Sequence, residues 1–260
     1  MPKRPGNYLG HYAVPPDGGN NNAKVADGLW NINEANILNK AGRWSGTDPY
    51  ASSVISQLRF EGTEGSTSID DDIGTLTWNV SGASRIDTTN AKFGSSSLRG
   101  NYTSTEGYIY NTSDETTLGL GQDDWTLEFW FYRNSSDDWG FLTMWTASNG
   151  LILGVNKQGS QYRLWLNYIV ADGGTLVTGQ WQHFAFVRQS LLFRLYIDGS
   201  QILTLNRSDT LSVAQIRLGM GYSSTGWSYK NYDDFRFTKG VCRYPDGTSF
   251  ITPGQLFPPS

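Results

Sequence analysis

Cysteine is nearly missing. Cys242 is the single one in 260 residues, which excludes an internal disulfide framework and a cysteine-based zinc site. Histidine is almost as scarce, and His11 and His183 leave little for metal binding or acid–base catalysis. Charged residues make up only 17% of the chain and the net charge is −4, so the basic footprint of a nucleic-acid binder is absent. No apolar run reaches the roughly 18 residues of a membrane-spanning helix. The leading Met1-Pro-Lys-Arg-Pro-Gly6 is basic, but no hydrophobic core follows it, so no secretory signal is expected. No repeat with a period of about 20 to 50 residues stands out, which argues against a solenoid or a propeller.

Aromatic residues (14%) and 30 glycines are what the chain has instead, a composition that fits a sandwich with many turns. The clearest stretch is Trp181–Ile202. Trp181–Arg188 is rich in aromatic and β-branched residues. In Leu191–Ile197 the residues Phe193, Leu195 and Ile197 alternate with Arg194 and Tyr196, which is the period of a strand with one face inside. Asp198-Gly199 then signals a tight hairpin, because such a turn needs positive φ. Trp125–Tyr132 reads as another strand, with Trp125, Leu127, Phe129 and Phe131 on one face. Further short strands are expected at Val54–Phe60, Leu76–Val80, Gly94–Gly100, Tyr108–Tyr110, Phe141–Trp145, Leu151–Val155, Tyr162–Tyr168, Ile216–Leu218 and Asp234–Phe237. Strands at this spacing, without intervening helices, predict an all-β antiparallel two-sheet sandwich over residues 53–260.

Residues 1–52 differ. They form a mostly irregular arm rich in Gly, Asn and Pro, with one short helix predicted over residues 31–41, where Ala35, Leu38 and Ala41 recur at helical spacing and Gly42 ends the run. Such a segment has too little apolar surface to fold alone. It packs either on its own domain or on a partner chain, and docking on a partner through Trp30, Ile37, Leu38 and Trp44 is the expectation.

Six pieces in order resemble the laminin-G-like, concanavalin-A-like jelly-roll family. They are Phe60-Glu61-Gly62, Phe93-Gly94 before Ser97-Leu98, Asp124–Phe131, Trp181-Gln-His183, Leu195-Tyr-Ile-Asp-Gly199, and Asp233–Tyr244 with Phe250–Pro253. The ending DDFRFTKGVCRY is similar to copies found in virion proteins of tailed bacteriophages. That resemblance implies a jelly-roll lectin-like module on the particle surface, as head decoration, tail or fibre. It implies docking to other virion proteins through the arm, a homo-oligomer, contact with host-surface polysaccharide, and synthesis in the host cytoplasm. Membrane insertion and nucleic-acid binding are not expected. A glycan-active hydrolase of the same fold and a cellular surface adhesin are the alternatives.

The family's glycanases place Glu-x-Asp-x-x-Glu on one strand to flank a scissile bond. Here Glu128 has no acidic residue two or five positions on, so no catalytic residue is expected. The resemblance also implies one calcium ion between the first and last strands, with Glu61 and Asp234 as its ligands. The alternative is that the acidic clusters solvate loops and cap turns. Sugar binding needs an aromatic platform with polar partners beside it. Residues 221–233 offer Tyr222, Trp227, Tyr229 and Asn231, and Trp139 is a second candidate. The alternative is that these aromatics cover the sandwich ends or a subunit contact.

Overall fold

The computed structural model describes residues 48–100, 107–112, 115–134, 140–221, 230–245 and 247–257. The predicted helix over residues 31–41 and the docking residues Trp30, Ile37, Leu38 and Trp44 lie outside them, as do Trp139, Tyr222, Trp227 and Tyr229.

Two antiparallel sheets face each other, as the alternation predicts. The first contains β1 (Val54–Leu58), β3 (Arg85–Asp87), β4 (Ser97–Gly100), β6 (Trp125–Arg133), β11 (Trp181–Gln189), β12 (Leu192–Ile197), β13 (Ser200–Asn206) and β15 (Lys230–Lys239). Its order is β13-β12-β11-β6-β15-β4-β3, with β1 also on β15. The second contains β2 (Trp78–Ser81), β5 (Tyr108–Asn111), β7 (Gly140–Trp145), β8 (Leu151–Gln158), β9 (Gln161–Leu166), β10 (Ile169–Gly173) and β14 (Gln215–Leu218), ordered β10-β9-β8-β7-β14-β5-β2. One helical turn, α1 (Glu115–Leu118), precedes β6.

The inward aromatics of β6, β11, β12 and β15 form the core. Phe129 stacks on Phe184 at 4.4 Å, and Trp125 meets Phe186, Phe193 and Phe237 edge-on. Asp198 (φ 50°) and Gly199 (φ 76°) make the predicted turn between β12 and β13. A second turn of this backbone type was not legible as such. It falls at Asn167 (φ 42°) and Tyr168 (φ 68°), so the run expected to be one strand to Tyr168 is a hairpin of β9 and β10. On this side the sheets also meet edge to edge: a Cβ placed on Gly173 would lie 2.4 Å from the Ile202 carbonyl oxygen of β13.

The outer face of the first sheet is covered. A cross-strand row, Gln57–Arg236–Glu128–Ala185–Tyr196, runs along it. Residues 241–245 and 247–257 lie over that row. The Thr126 hydroxyl donates to the Val241 carbonyl and accepts from the Arg243 amide, Phe250 N–H donates to the Gly199 carbonyl, and Tyr244 stacks on Phe250 at 3.7 Å. Beneath the cover Arg236 donates twice to Glu128 Oε1 (3.0 and 2.8 Å), and Tyr244 OH donates to Glu128 Oε2 at 2.6 Å. Asp48 is gripped at both oxygens by Arg243 (3.0 and 2.7 Å) and again by Arg236 at 3.3 Å. All five side chains are buried. Asp48 belongs to the region read as the arm, so the described end of that arm is tied to its own body.

Breaking one partner of a buried, hydrogen-bonded ion cluster leaves an uncompensated charge. Asp48→Ala is expected to lower unfolding stability by about 3–5 kcal/mol, measured by urea denaturation followed through tryptophan fluorescence.

Candidate functional site

The second sheet has a different outer face. Its register aligns one residue from each of seven strands: Asn79, Tyr110, Arg217, Thr143, Gly154, Trp165 and Val170. Directly paired residues in an antiparallel sheet share a face. At strand spacing the row is roughly 29 Å long. Asn79, Tyr110, Arg217 and Trp165 are half-buried and Val170 is exposed.

Aromatic rings flank the row. Trp145 folds back so that its Nε1 donates to Thr143 Oγ1 at 2.8 Å, which buries the threonine and leaves the indole half-exposed. Tyr108 stands beside Tyr110 at 5.9 Å. Tyr168 meets Trp165 edge-on at 5.6 Å and is 89% exposed. A bulky residue with positive φ is strained. Here the preceding Asn167 is held by Asp209 at 2.8 Å, so the turn is fixed and the ring is kept in water. Gly154 supplies no side chain mid-row, and a Cβ there would touch Thr143 Cγ2 and Asn156 Nδ2 at 3.4 Å, so its neighbours close over the position. Next to it on the same strand face is Asn156, 1% exposed, and neither end of its amide has a partner among the described residues.

The predicted calcium ligands lie elsewhere. Phe60 (φ 54°) turns the chain at the end of β1 and presents Glu61 to Ser95 and Ser96. The Glu61 carboxylate accepts from Ser95 N–H (3.1 Å) and Ser95 Oγ (2.6 Å). The positive φ of Gly94 (62°) favours glycine, and its Cα lies against the Glu61 carboxylate. Asp233 and Asp234 share a bulge in β15. Asp233 Oδ2 accepts from Lys92 and Phe93 N–H (2.8 and 3.0 Å), and Asp234 Oδ2 accepts from Phe257 N–H (2.8 Å). Both Oδ1 atoms are buried without a partner among the described residues. Burial pushes the Asp233 pKa up to about 7, and the Glu61 charge adds to the rise. Burial likewise raises Asp234 well above the carboxylate range, with Asp233 adding to it. When ionised, these two orphaned oxygens, with the Glu61 charge acting on Asp233, are chemistry a hard cation relieves. The structure makes Asp233, which the sequence reading left out, the acid that feels Glu61. Among the described residues, no three acidic, histidine or cysteine side chains form a ready cage.

Asn231 lies in β15 rather than in a loop. It is 1% exposed, and its amide is held by Asp87, Ser97, Asn90 and Asn134. A side chain so enclosed offers no sugar contact. Glu128, the one acid on the β6 strand, is fully enclosed, and the Arg236 and Arg243 guanidiniums together with His183 hold its pKa well below the usual range despite that burial. It is therefore placed as a structural anion and not as a general acid.

Trp145, Trp165 and Arg217 were missed as site residues. Their strands were predicted, but only the cross-strand register brings them into one row.

Comparison with solved structures supports the architecture. The binding domain of botulinum neurotoxin DC in complex with rat synaptotagmin II is 14% identical with a TM-score of 0.56, over 76% of this chain and 51% of that one. The binding domain of Paraclostridial Mosquitocidal Protein 1 is 15% identical with a TM-score of 0.53, over 75% and 51%. A type C botulinum neurotoxin, whose cell entry is dependent upon interaction with two ganglioside molecules, is 14% identical with a TM-score of 0.56, over 76% and 50%. The chain thus spans about half the length of these chains. A search of curated protein sequences finds no match. A family model for the concanavalin A-like lectin/glucanases superfamily matches residues 103–239, just over half of the chain. With two facing antiparallel sheets and that match, the chain belongs to the Laminin_G_3 family of the concanavalin A-like lectin/glucanases superfamily.

Proposed function

We propose that this chain is a non-catalytic glycan-binding module that lays a polysaccharide along the outer face of its second sheet. The observation that carries this reading is the aligned row with Trp145, Trp165, Tyr108, Tyr110 and Tyr168 along it, half in water. Sugar rings have an apolar face that stacks on aromatic rings and a rim of hydroxyls that needs donors and acceptors. The side chains of Asn79 and Arg217, half-buried in the same row, supply the latter. On the first sheet residues 241–245 and 247–257 cover the row that contains Glu128, and a further outward row, Trp181–Tyr132–Asn231–Arg99, carries a single aromatic pair.

The module belongs, in this reading, to a virion protein of a tailed bacteriophage and meets host-surface polysaccharide. The closing Asp233–Tyr244 segment supports this by its resemblance to such proteins. Residues 1–47 dock the module to other virion proteins, and several copies assemble together. Calcium binds at Asp233 and Asp234 with Glu61 beside them, carbonyl oxygens and water completing its shell.

Trp145→Ala and Trp165→Ala are each expected to weaken binding to a recognised polysaccharide by about tenfold or more, read by isothermal titration, with the melting temperature unchanged. Equal affinity of both variants and the parent protein would remove this face as the site. Deleting residues 1–47, which keeps Asp48, is expected to leave the melting temperature unchanged and abolish incorporation into particles.

The acid pair sets a pH test. A carboxyl whose folded pKa is raised stabilises the fold below the ordinary carboxylate range, and that stability is lost as pH rises through the folded value, about 7 for Asp233. Asp48 and Glu128 are lowered, so their contribution fades only at or below the ordinary range. In chelator, the melting temperature is therefore expected to fall between about pH 5 and about pH 8, and calcium or Asp233→Asn is expected to flatten the fall. A flat profile in chelator, with no response to calcium, would remove the ion.

A further inference from the structure

The row on the second sheet contains one cation, Arg217. We propose that Arg217 reads a carboxylate on the bound polysaccharide, so that the module selects acidic sugars over neutral ones; this rests on the glycan-binding reading above.

Six of the eleven arginines among the described residues, Arg59, Arg99, Arg163, Arg207, Arg236 and Arg243, each lie within ion-pair distance of a carboxylate. Arg217 is held by other groups. Its Nε donates to Gln215 Oε1, its Nη1 to Met220 Sδ at 3.4 Å and its Nη2 to Asn149 Oδ1 at 3.1 Å, all uncharged acceptors. No carboxylate among the described residues pairs with it, and the groups that act on its charge are Tyr108 and Tyr110. A guanidinium has five N–H donors. Three are engaged here, which leaves one on each Nη.

The geometry holds the group ready. Its Cζ lies 4.3 Å from the Trp145 ring centre and 5.7 Å from that of Tyr108. Stacking against these rings fixes the planar fork and displaces water from its faces. Partial burial lowers its pKa without any risk of deprotonation near neutrality. A half-desolvated cation with neutral partners gains most from an anion that accepts from both Nη groups, and a carboxylate matches that fork. The aromatic rings beside it would hold the sugar that carries the carboxylate.

The test compares polygalacturonate with its methyl ester, the same backbone with its charge removed, by isothermal titration on the full chain. The ester is expected to bind roughly ten- to hundredfold more weakly. Arg217→Gln should reduce acid binding to the ester's level while melting stays unchanged, and Arg217→Lys should restore part of the preference. Acid and ester bound equally, or a preference that survives Arg217→Gln, would overturn this inference. In that case a loss of binding in Trp145→Ala would show that the glycan-binding reading still stands. If neither polymer nor a panel of neutral polysaccharides binds, both readings fall.

Discussion

A charge taken out of water must meet its opposite or be neutralised. Glu128 projects from the middle of β6 onto the outer face of the first sheet, where it draws partners from the flanking strands and from beyond the sheet. Arg236 answers from the neighbouring strand, Tyr244 from the returning tail, and Arg243 brings in Asp48 from ahead of β1. This cluster draws two distant parts of the chain, the tail and the segment before β1, over one face. The apolar patch of Ala185, Val187, Tyr196, Cys242 and Tyr244 then closes around it. Because burial with satisfied partners is cooperative, the tail and the segment before β1 fold as parts of the sandwich and not as appendages.

The asymmetry between the faces follows. One sheet spends its outer surface on internal ion pairs and a covering tail. The other keeps its row half in water, with a tyrosine held at a strained turn. Strain at an exposed aromatic is a feature of recognition surfaces, where the surroundings over-determine an unfavourable backbone. An indole on one side of a guanidinium and a phenol on the other make an arrangement with no evident structural need in the core below.

Much of the fold was legible because alternation is a local signal. Phe193, Leu195 and Ile197 point inward as read, and Asp198-Gly199 turns as read. The β9–β10 turn was hidden because Asn167-Tyr168 lacks the glycine that marks such turns, and its positive φ is enforced by a contact with Asp209, 42 positions away. The candidate site was far less legible. Tyr110, Arg217, Thr143 and Trp165 sit on four strands whose order in the sheet is not their order in the chain. No spacing along the sequence reveals that they share a row. The resemblance pointed to Asp234 alone, and the bulge in β15, which gives Asp233 and Asp234 different surroundings, is invisible to a period-two reading.

The contact between β10 and β13 has its own consequence. Open sheet edges present free backbone groups that recruit strands from neighbouring molecules. Here the glycine pair Gly173-Gly174 lets the two sheets close against each other at Ile202 and Leu203. Among the described residues the other edges are β2, β3 and β1, only four, three and five residues long. A protein finished this way can be crowded shoulder to shoulder at high local density without its copies zipping into fibrils.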